Sequence, residues 1–302
     1  MAVIGWIGLG RMGGPMTKNL IAAGHTVNGF DVVPAAVEAA AGHGVVAKSS
    51  IAEAVEGADI VFSMLPKGEH AKTVYLGEGG VFDNASTSTL LVDSSTIDFD
   101  TATELHQAAR DRGFKFVDGP VSGGVSGAAA GTLTFMLGGD DADVENAKTF
   151  IEPMAGNIFH AGGEGAGQAA KIVNNMLLAI SLQGVVEGAV LAQRFGLKPE
   201  VFYDIAKVSS GDSWPLRTWY PVPGVVDTAA ANNNFEAGFS TMLMHKDVGL
   251  ALDGAKTQGV TLSAAELVYS RLQQLIDDGN GDLDCSAIIG LVDENAKGLP
   301  QD

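Results

Sequence analysis

Val3-Ile-Gly-Trp-Ile7-Gly8-Leu9-Gly10-Arg11-Met12-Gly13 is the stretch that decides the fold. A short apolar run of strand length ends in glycines spaced G-x-G-x-x-G, and a helical pattern through Met16, Leu20 and Ile21 comes next. Each glycine has a task if such a turn holds a dinucleotide. Gly8 makes the tight turn, Gly10 lets the backbone approach a pyrophosphate, and Gly13 lets the helix pack on the strand. Phosphates then sit at the helix N-terminus, where unpaired N–H groups and the helix dipole favour an anion. The spacing alone is a weak signal. Its place between a strand and a helix makes it a strong one.

An acid stands where the second strand should end: Asp31, after His25-Thr-Val-Asn-Gly-Phe30. A carboxylate there accepts from a ribose 2′-hydroxyl and repels a 2′-phosphate. The next residues, Val32-Val33-Pro34, offer no cation for such a phosphate, so NAD is expected over NADP. Outward from this unit, Val45–Ala47, Ile60–Met64, Leu90–Asp93 and Phe114–Asp118 read as strands. Helices over Ser50–Glu56 and Thr101–Arg112 lie between them. Strands alternating with helices imply a parallel sheet with right-handed crossovers. Ligands of such sheets lie beyond the carboxyl ends of the strands. Here those tips are Leu65-Pro66, Ser94-Ser95-Thr96 and Asp118-Gly119-Pro120.

Thr134–Leu137 and Asn157–His160 read as two more strands, with a helix over Ala142–Phe150. From Gly167 to Arg194 one helical pattern runs for about 40 Å at the usual rise per residue. Gly196 stands at its C-terminal cap and Pro199 opens the next helix. The remainder of the chain has no strand-like run. It is irregular around Ser209–Trp214 and Pro221–Gly224, then helical around Lys246-Asp247 and over Ala264–Ile276, with a last helix within Asp282–Asn295. The expected fold class is α/β. Residues 1–164 form an N-terminal Rossmann-type doubly wound sheet that binds NAD. Residues 165–302 form an all-α C-terminal domain, with 165–195 as a long interdomain helix.

A chain of 302 residues is long for one core, so two domains are also expected from size. The net charge of −18 repels phosphate backbones and anionic headgroups, which argues against nucleic-acid and membrane partners. The single cysteine, Cys285, excludes internal disulfides and multi-cysteine zinc sites and suits a reducing cytoplasm. No basic n-region precedes the first apolar run. The longest apolar candidate for a bilayer, Met176–Leu182, is short before Gln183 and Glu187 appear. The expectation is a soluble cytoplasmic protein with no metal.

Two further stretches carry chemistry. In Gly165–Ile180, Gln168, Lys171 and Asn175 interrupt an otherwise apolar helix at spacings of three and four, which stacks them on one face. A buried lysine is paired or used. The stripe is either the floor of a polar pocket or a lysine reaching past the helix end beside two backbone-satisfying amides. The other stretch is Asp118-Gly-Pro-Val-Ser122-Gly123-Gly124 through Gly131-Thr-Leu133. Its exposed N–H groups and the Ser122 hydroxyl suit an anion of carboxylate size; a flexible structural loop is the alternative. It is not the hydrolase elbow G-x-S-x-G, since Pro120 precedes Ser122 by two, and no Walker loop occurs in the chain. Trp214, beside an irregular loop, is either core or substrate contact. Lys246-Asp247 on a helix reads by itself as a solvated ion pair.

Taken together, these segments resemble the β-hydroxyacid dehydrogenase family over nearly the whole chain. The family-wide motifs are Gly8–Met16, Asp93-Ser-Ser-Thr96, Pro120–Gly124 with Gly131-Thr-Leu133, and Gly165–Lys171 with Asn175. Ser209-Ser-Gly with Trp214, Pro221–Gly224, and Lys246-Asp247 with Leu250-Ala251 look like the branch that oxidises 3-hydroxyisobutyrate to methylmalonate semialdehyde in valine catabolism. The resemblance implies Lys171 as catalytic acid/base and Asn175 as its partner at the substrate. It implies Ser122, Gly123 and Gly124 at the substrate carboxylate, with Trp214 nearby. Gly8, Leu9, Gly10, Arg11, Met12, Gly13, Asp31, Leu65, Pro66, His70, Thr96 and Lys246 would face the cofactor. Asp247 would orient Lys246 beside the substrate.

There are departures. His70 stands where relatives often have Asn, and Gly119 replaces a common Ala. Rival substrates within the family are tartronate semialdehyde and other short 3-hydroxy acids such as L-serine. A non-catalytic dinucleotide-binding module is the rival of another class. The resemblance also implies a homodimer or homotetramer.

Overall fold

Ile4 pairs in parallel with both Val27 and Ile60, which puts β1 (Val3–Ile7) inside a sheet and not at its edge. The structure, a computed structural model, describes residues 1–293. The Asn295 end of the expected last helix lies outside the described residues. Two compact units divide at Lys171/Ile172.

In the first unit, β1 leads through α1 (Gly13–Ala22), β2 (Thr26–Phe30) and α2 (Pro34–Ala41) to β3 (Val46–Ala47). The chain then crosses back through α3 (Ile51–Val55) to β4 (Ile60–Ser63) on the other side of β1. From there α4 (Gly68–Leu76), α5 (Val81–Asn84), β5 (Leu90–Asp93), α6 (Phe99–Asp111) and β6 (Lys115–Asp118) extend the sheet. The resulting order, β3-β2-β1-β4-β5-β6, is all parallel and reverses direction between β1 and β4. That reversal is the switch point at which open α/β sheets bind ligands.

Beyond β6 the sheet is no longer all parallel. β7 (Val121–Ser122), α7 (Gly124–Ala130), β8 (Leu133–Gly138), α8 (Asp141–Ile151) and β9 (Ala155–Gly162) complete the unit. β8 runs antiparallel to both β6 and β7, while β9 is parallel to β8. Between β7 and β8 the physical reason is connection length. Gly123–Thr132 is ten residues, short of the dozen or so that a parallel crossover requires.

The strands are apolar on both faces because both are covered. Ile4, Trp6, Ile60, Phe62, Leu90 and Val92 point to one core; Ile7, Val61, Leu91 and Phe116 point to the other. Trp6 stacks on Phe62 with ring centroids 5.3 Å apart. Each such fully buried side chain contributes roughly 1.5–3 kcal/mol. Helix starts obey local chemistry: Ser50 caps α3 by accepting from Glu53 N–H, and Asp98 caps α6 by accepting from Thr101 N–H.

The α9 helix (Ala166–Arg194) is 29 residues long; its start belongs to the first unit and the rest to the second. Gly196, at φ 82°, ends it as expected. The second unit continues with α10 (Pro199–Ala206), α11 (Trp214–Thr218), α12 (Thr241–Gln258) and α13 (Ser263–Leu275), then a 3₁₀ segment over Cys285–Leu291. Among the described residues this unit has no strand, only an isolated β-bridge between Ser240 and Asp284. Ala179, Leu182 and Val186 of α9 pack with Met244 and Val248 of α12, Val268 and Leu272 of α13, and Ile288. Cys285 is fully buried in that core, and burial pushes its thiol well above the ordinary range. By length and composition α9 would suffice to cross a bilayer, contrary to the shorter stretch read from sequence, and Ala179, Leu182 and Val186 on it pack into the core of the second unit. Its other side leaves Val173, Leu177 and Leu191 more than half exposed, a stripe of helical period.

Candidate active site

The turn after β1 is built by close backbone approach. Gly8 has φ 96°, and a Cβ there would lie 2.3 Å from the Met64 carbonyl oxygen. A Cβ at Gly13 would lie 2.0 Å from the Gly8 oxygen, which also accepts from Trp6 Nε1 at 2.8 Å. At Gly10, by contrast, a Cβ would meet nothing within 4 Å. Two glycines therefore close the turn and the third leaves its backbone open. Leu9 is buried, Met12 half-buried and Arg11 exposed. The first turn of α1 carries no acidic residue, so nothing on that helix opposes an anion at its N-terminus.

Asp31 stands directly behind this turn. Its Oδ2 accepts from Leu9 N–H at 2.7 Å and its Oδ1 from Val33 N–H at 2.8 Å. Each carboxylate oxygen retains a further lone pair for a hydroxyl donor. Val32 and Val33 are exposed and supply no cation. The open backbone at Gly10, an acid-free helix start and a fixed carboxylate fit a pyrophosphate followed by an unphosphorylated ribose diol, as in NAD.

The tips of β4 and β5 are joined by a buried polar network. Leu65 N–H donates to Ser95 Oγ at 2.8 Å, and Ser95 Oγ donates to Asp93 Oδ1 at 2.6 Å. Ser63 Oγ donates to the same oxygen at 2.6 Å and contacts the Tyr75 hydroxyl at 2.8 Å. Burial pushes the Asp93 carboxyl above the ordinary range, with Asp118 adding to the effect against these hydrogen bonds. Asp93 Oδ2 is buried without a hydrogen-bond partner. Leu65 and Thr96 are half-buried and Pro66 is exposed at the rim of these tips. His70 is exposed on α4.

The glycine-rich segment after β6 is not a loop throughout, since β7 and α7 form within it. Ser122 pairs with Thr134 on β8 and stays half-buried. Gly123 and Gly124, at φ 126° and 62°, are exposed and turn the chain from β7 into α7. Two successive left-handed positions explain why glycine stands at both.

Lys171 is 7% exposed, and Gln168 and Asn175 on the same helix are buried too. Asn175 Nδ2 donates to Asp247 Oδ2 at 2.6 Å. Asp247 Oδ1 lies 3.1 Å from the Lys246 ammonium, a charge contact without hydrogen-bond alignment. Asp247 is 3% exposed, so Lys246-Asp247 is not the solvated pair that the bare dipeptide suggests. The structure thus joins Asn175, Asp247 and Lys246. Trp214, at the start of α11 in the second unit, is 54% exposed and edge-on to Trp219 at 4.9 Å. Sequence reasoning missed Ser63 and Asp118 as polar supports. Their signal was weak: a serine and an aspartate at the carboxyl ends of apolar strands.

Comparison with known proteins agrees with this geometry. A family model described as the NAD-binding domain of 6-phosphogluconate dehydrogenase matches residues 3–162. A second, described as NAD-binding of NADP-dependent 3-hydroxyisobutyrate dehydrogenase, matches residues 165–292. A probable 3-hydroxyisobutyrate dehydrogenase of Mycobacterium tuberculosis is 46% identical over 96% of this chain and 97% of its own. An NAD-dependent L-serine dehydrogenase of Pseudomonas aeruginosa is 43% identical over 97% and 98%. The solved structure of Mycobacterium tuberculosis 3-hydroxyisobutyrate dehydrogenase with L-serine superposes with a TM-score of 0.92 at 45% identity, covering 97% of this chain and 99% of that one. With both units matched and the acid at Asp31 in place, the chain belongs to the 3-hydroxyisobutyrate dehydrogenase family and is an NAD-dependent oxidoreductase.

Proposed function

We propose that the chain oxidises the primary hydroxyl of 3-hydroxyisobutyrate to the aldehyde of methylmalonate semialdehyde, with Lys171 as the acid/base. The observation that carries this reading is a buried lysine one helical turn before an asparagine whose amide is fixed by a buried aspartate. NAD, when bound, supplies the hydride acceptor. The protein's own groups handle the proton and the geometry. Lys171 Nζ, as a free amine, takes the hydroxyl proton as the carbonyl forms, and as an ammonium it stabilises the developing alkoxide in the reverse direction. Asn175 holds the reacting oxygen in place, with Asp247 turning its amide. Ser122 with the Gly123 and Gly124 N–H groups receives the substrate carboxylate. The Gly8–Gly13 turn, Asp31, Leu65, Pro66, Thr96 and Lys246 orient the cofactor, and Trp214 borders the substrate.

L-serine is the second substrate reading, favoured by the Pseudomonas aeruginosa relative of that name. It too presents a carboxylate and a primary hydroxyl on C3. We further infer a homodimer or homotetramer, supported by the exposed apolar stripe of α9, and a cytoplasmic setting, supported by a single buried cysteine.

The test is a rate comparison by nicotinamide absorbance for oxidation of 3-hydroxyisobutyrate and L-serine with NAD and NADP, and for reduction of tartronate semialdehyde with the two reduced cofactors. The expected result is the highest kcat/KM for 3-hydroxyisobutyrate with NAD, and a kcat at least about 100-fold lower in Lys171→Ala. Equal activity of that variant removes the lysine role; activity with none of the acids removes the enzymatic reading.

A further inference from the structure

Gln168 belongs to the same polar stripe as Lys171 yet has no task in the reaction just described. It is completely buried. Its carboxamide makes two hydrogen bonds to backbone at the β5 tip: Oε1 accepts from Ile97 N–H at 3.1 Å, and Nε2 donates to the Ser95 carbonyl at 2.7 Å. The residue between those two partners is Thr96. One side chain therefore brackets a candidate cofactor contact. Through the Ser95 hydroxyl, which accepts from Leu65 N–H, the same tip is tied to a second one.

The backbone around Gln168 is fixed as firmly as its side chain. Gly163-Glu164-Gly165 provides no local cap of the Ser, Thr, Asp or Asn kind for α9. Asp118, at the end of β6, supplies the cap from a distant part of the chain. Its Oδ2 accepts from Gln168 N–H at 2.8 Å and its Oδ1 from Gly165 N–H at 2.9 Å, with His106 Nε2 2.7 Å from Oδ1. A Cβ at Gly167 would lie 2.3 Å from the Met136 oxygen and 2.6 Å from the Asp118 oxygen. The first turn of α9 has no room to slide along the sheet. Lys171 stands three residues after Gln168, on the same face and within one turn.

We propose that Gln168 is a positioning residue for the dehydrogenase: by bridging Ser95 and Ile97 it locks the Thr96 tip to the helical turn that carries Lys171. The proposal rests on the reading of Lys171 as acid/base and Thr96 as a cofactor contact. Near-attack geometry tolerates little displacement, so loosening this link acts on turnover before it acts on binding.

The experiment compares Gln168→Met, which keeps the volume and loses both hydrogen bonds, with Gln168→Glu. Melting temperature, NADH affinity by fluorescence, and kcat and KM across pH are measured well below each variant's Tm, beside Lys171→Ala. For Gln168→Met the expected result is kcat lower by about 10- to 100-fold, with NADH Kd and hydroxy-acid KM within about threefold. In Gln168→Glu an ionised side chain still accepts from Ile97 but cannot donate to the Ser95 carbonyl; the protonated acid can. Asp118, which accepts from the backbone N–H of this residue, and Asp93, on Ser95, both favour the proton, against Lys171 on the same helix and His106 beside Asp118. Its kcat relative to wild type is therefore expected to rise as pH falls, while the ratio for Gln168→Met stays flat. A kcat within twofold of wild type in Gln168→Met overturns the proposal. Should that variant not fold, a pH-independent ratio in Gln168→Glu overturns it instead. If Lys171→Ala keeps full activity, the parent reading fails; if it is inactive while Gln168→Met is normal, only the positioning role fails.

Discussion

Asn175 Nδ2 donates to Asp247 Oδ2 across 2.6 Å while its Oδ1 accepts from Asn174 Nδ2 at 3.1 Å, which commits one N–H of the amide to a buried carboxylate and leaves the other for a further acceptor. An asparagine free to flip would offer donor and acceptor in either direction. Here the sense is set. Removing Asp247 should thus disable Asn175 without touching it. Asn175→Ala and Asp247→Ala are each expected to lower kcat/KM by about 10- to 100-fold, and the double variant by little more than the worse single one. Steady-state rates of the three proteins decide this, and strictly multiplicative losses would show the two residues to act independently.

Asp31, the proposed ribose contact, receives two backbone N–H groups, from Leu9 and Val33. Asp31→Asn keeps an acceptor but removes the charge that repels a 2′-phosphate. The ratio of kcat/KM for NAD over NADP is expected to fall by at least tenfold, about 1.4 kcal/mol, with NAD usage itself also reduced. An unchanged ratio in coenzyme titrations would place the discrimination elsewhere.

Asp93 gives a pH dependence of definite sign. Burial raises its carboxyl above the ordinary range, so over the interval between those values the native state binds more protons than the unfolded chain. Stability then falls as pH rises through that interval, and the contribution is fully present only below it. Asp93→Asn lacks the ionisation. Urea midpoints from acidic to neutral pH should show wild type losing ground to the variant as pH increases; a gap that is constant or widens in favour of wild type contradicts the assignment.

Leu177 is 56% exposed on the outer stripe of α9. In a monomer, Leu177→Glu at such a position changes stability by no more than about 0.5 kcal/mol. In a self-associating protein it places a charge in an apolar contact. Light scattering after gel filtration is expected to show a dimer or tetramer for the wild type and a smaller species for the variant; equal masses would remove this stripe from the interface.

Legibility tracked distance along the chain. The Gly8–Gly13 turn and Asp31 were readable because turn, helix start and strand end are local patterns, and their spacing is dictated by a dinucleotide's dimensions. The strands at Ile60–Met64 and Leu90–Asp93 were readable from short apolar runs. Gln168 was legible only as a polar residue at a helix start, since its partners at Ser95, Ile97 and Asp118 come from strand ends far off in sequence. The reversal at β8 was hidden for a similar reason: hydrophobic alternation reports which face is buried, not which way a neighbour runs. Likewise Lys246-Asp247 looks like a surface pair until the packing of α12 buries the aspartate.

Cys285, the chain's one cysteine, is sealed in the core of the helical unit with its thiol held protonated. Alkylating reagents attack the thiolate, so they reach this sulfur only when the unit opens. The protein therefore carries its own unfolding reporter. The rate at which iodoacetamide modifies Cys285 in native buffer measures how often that core comes apart, with no engineered label, and any molecule that binds the closed form must slow it.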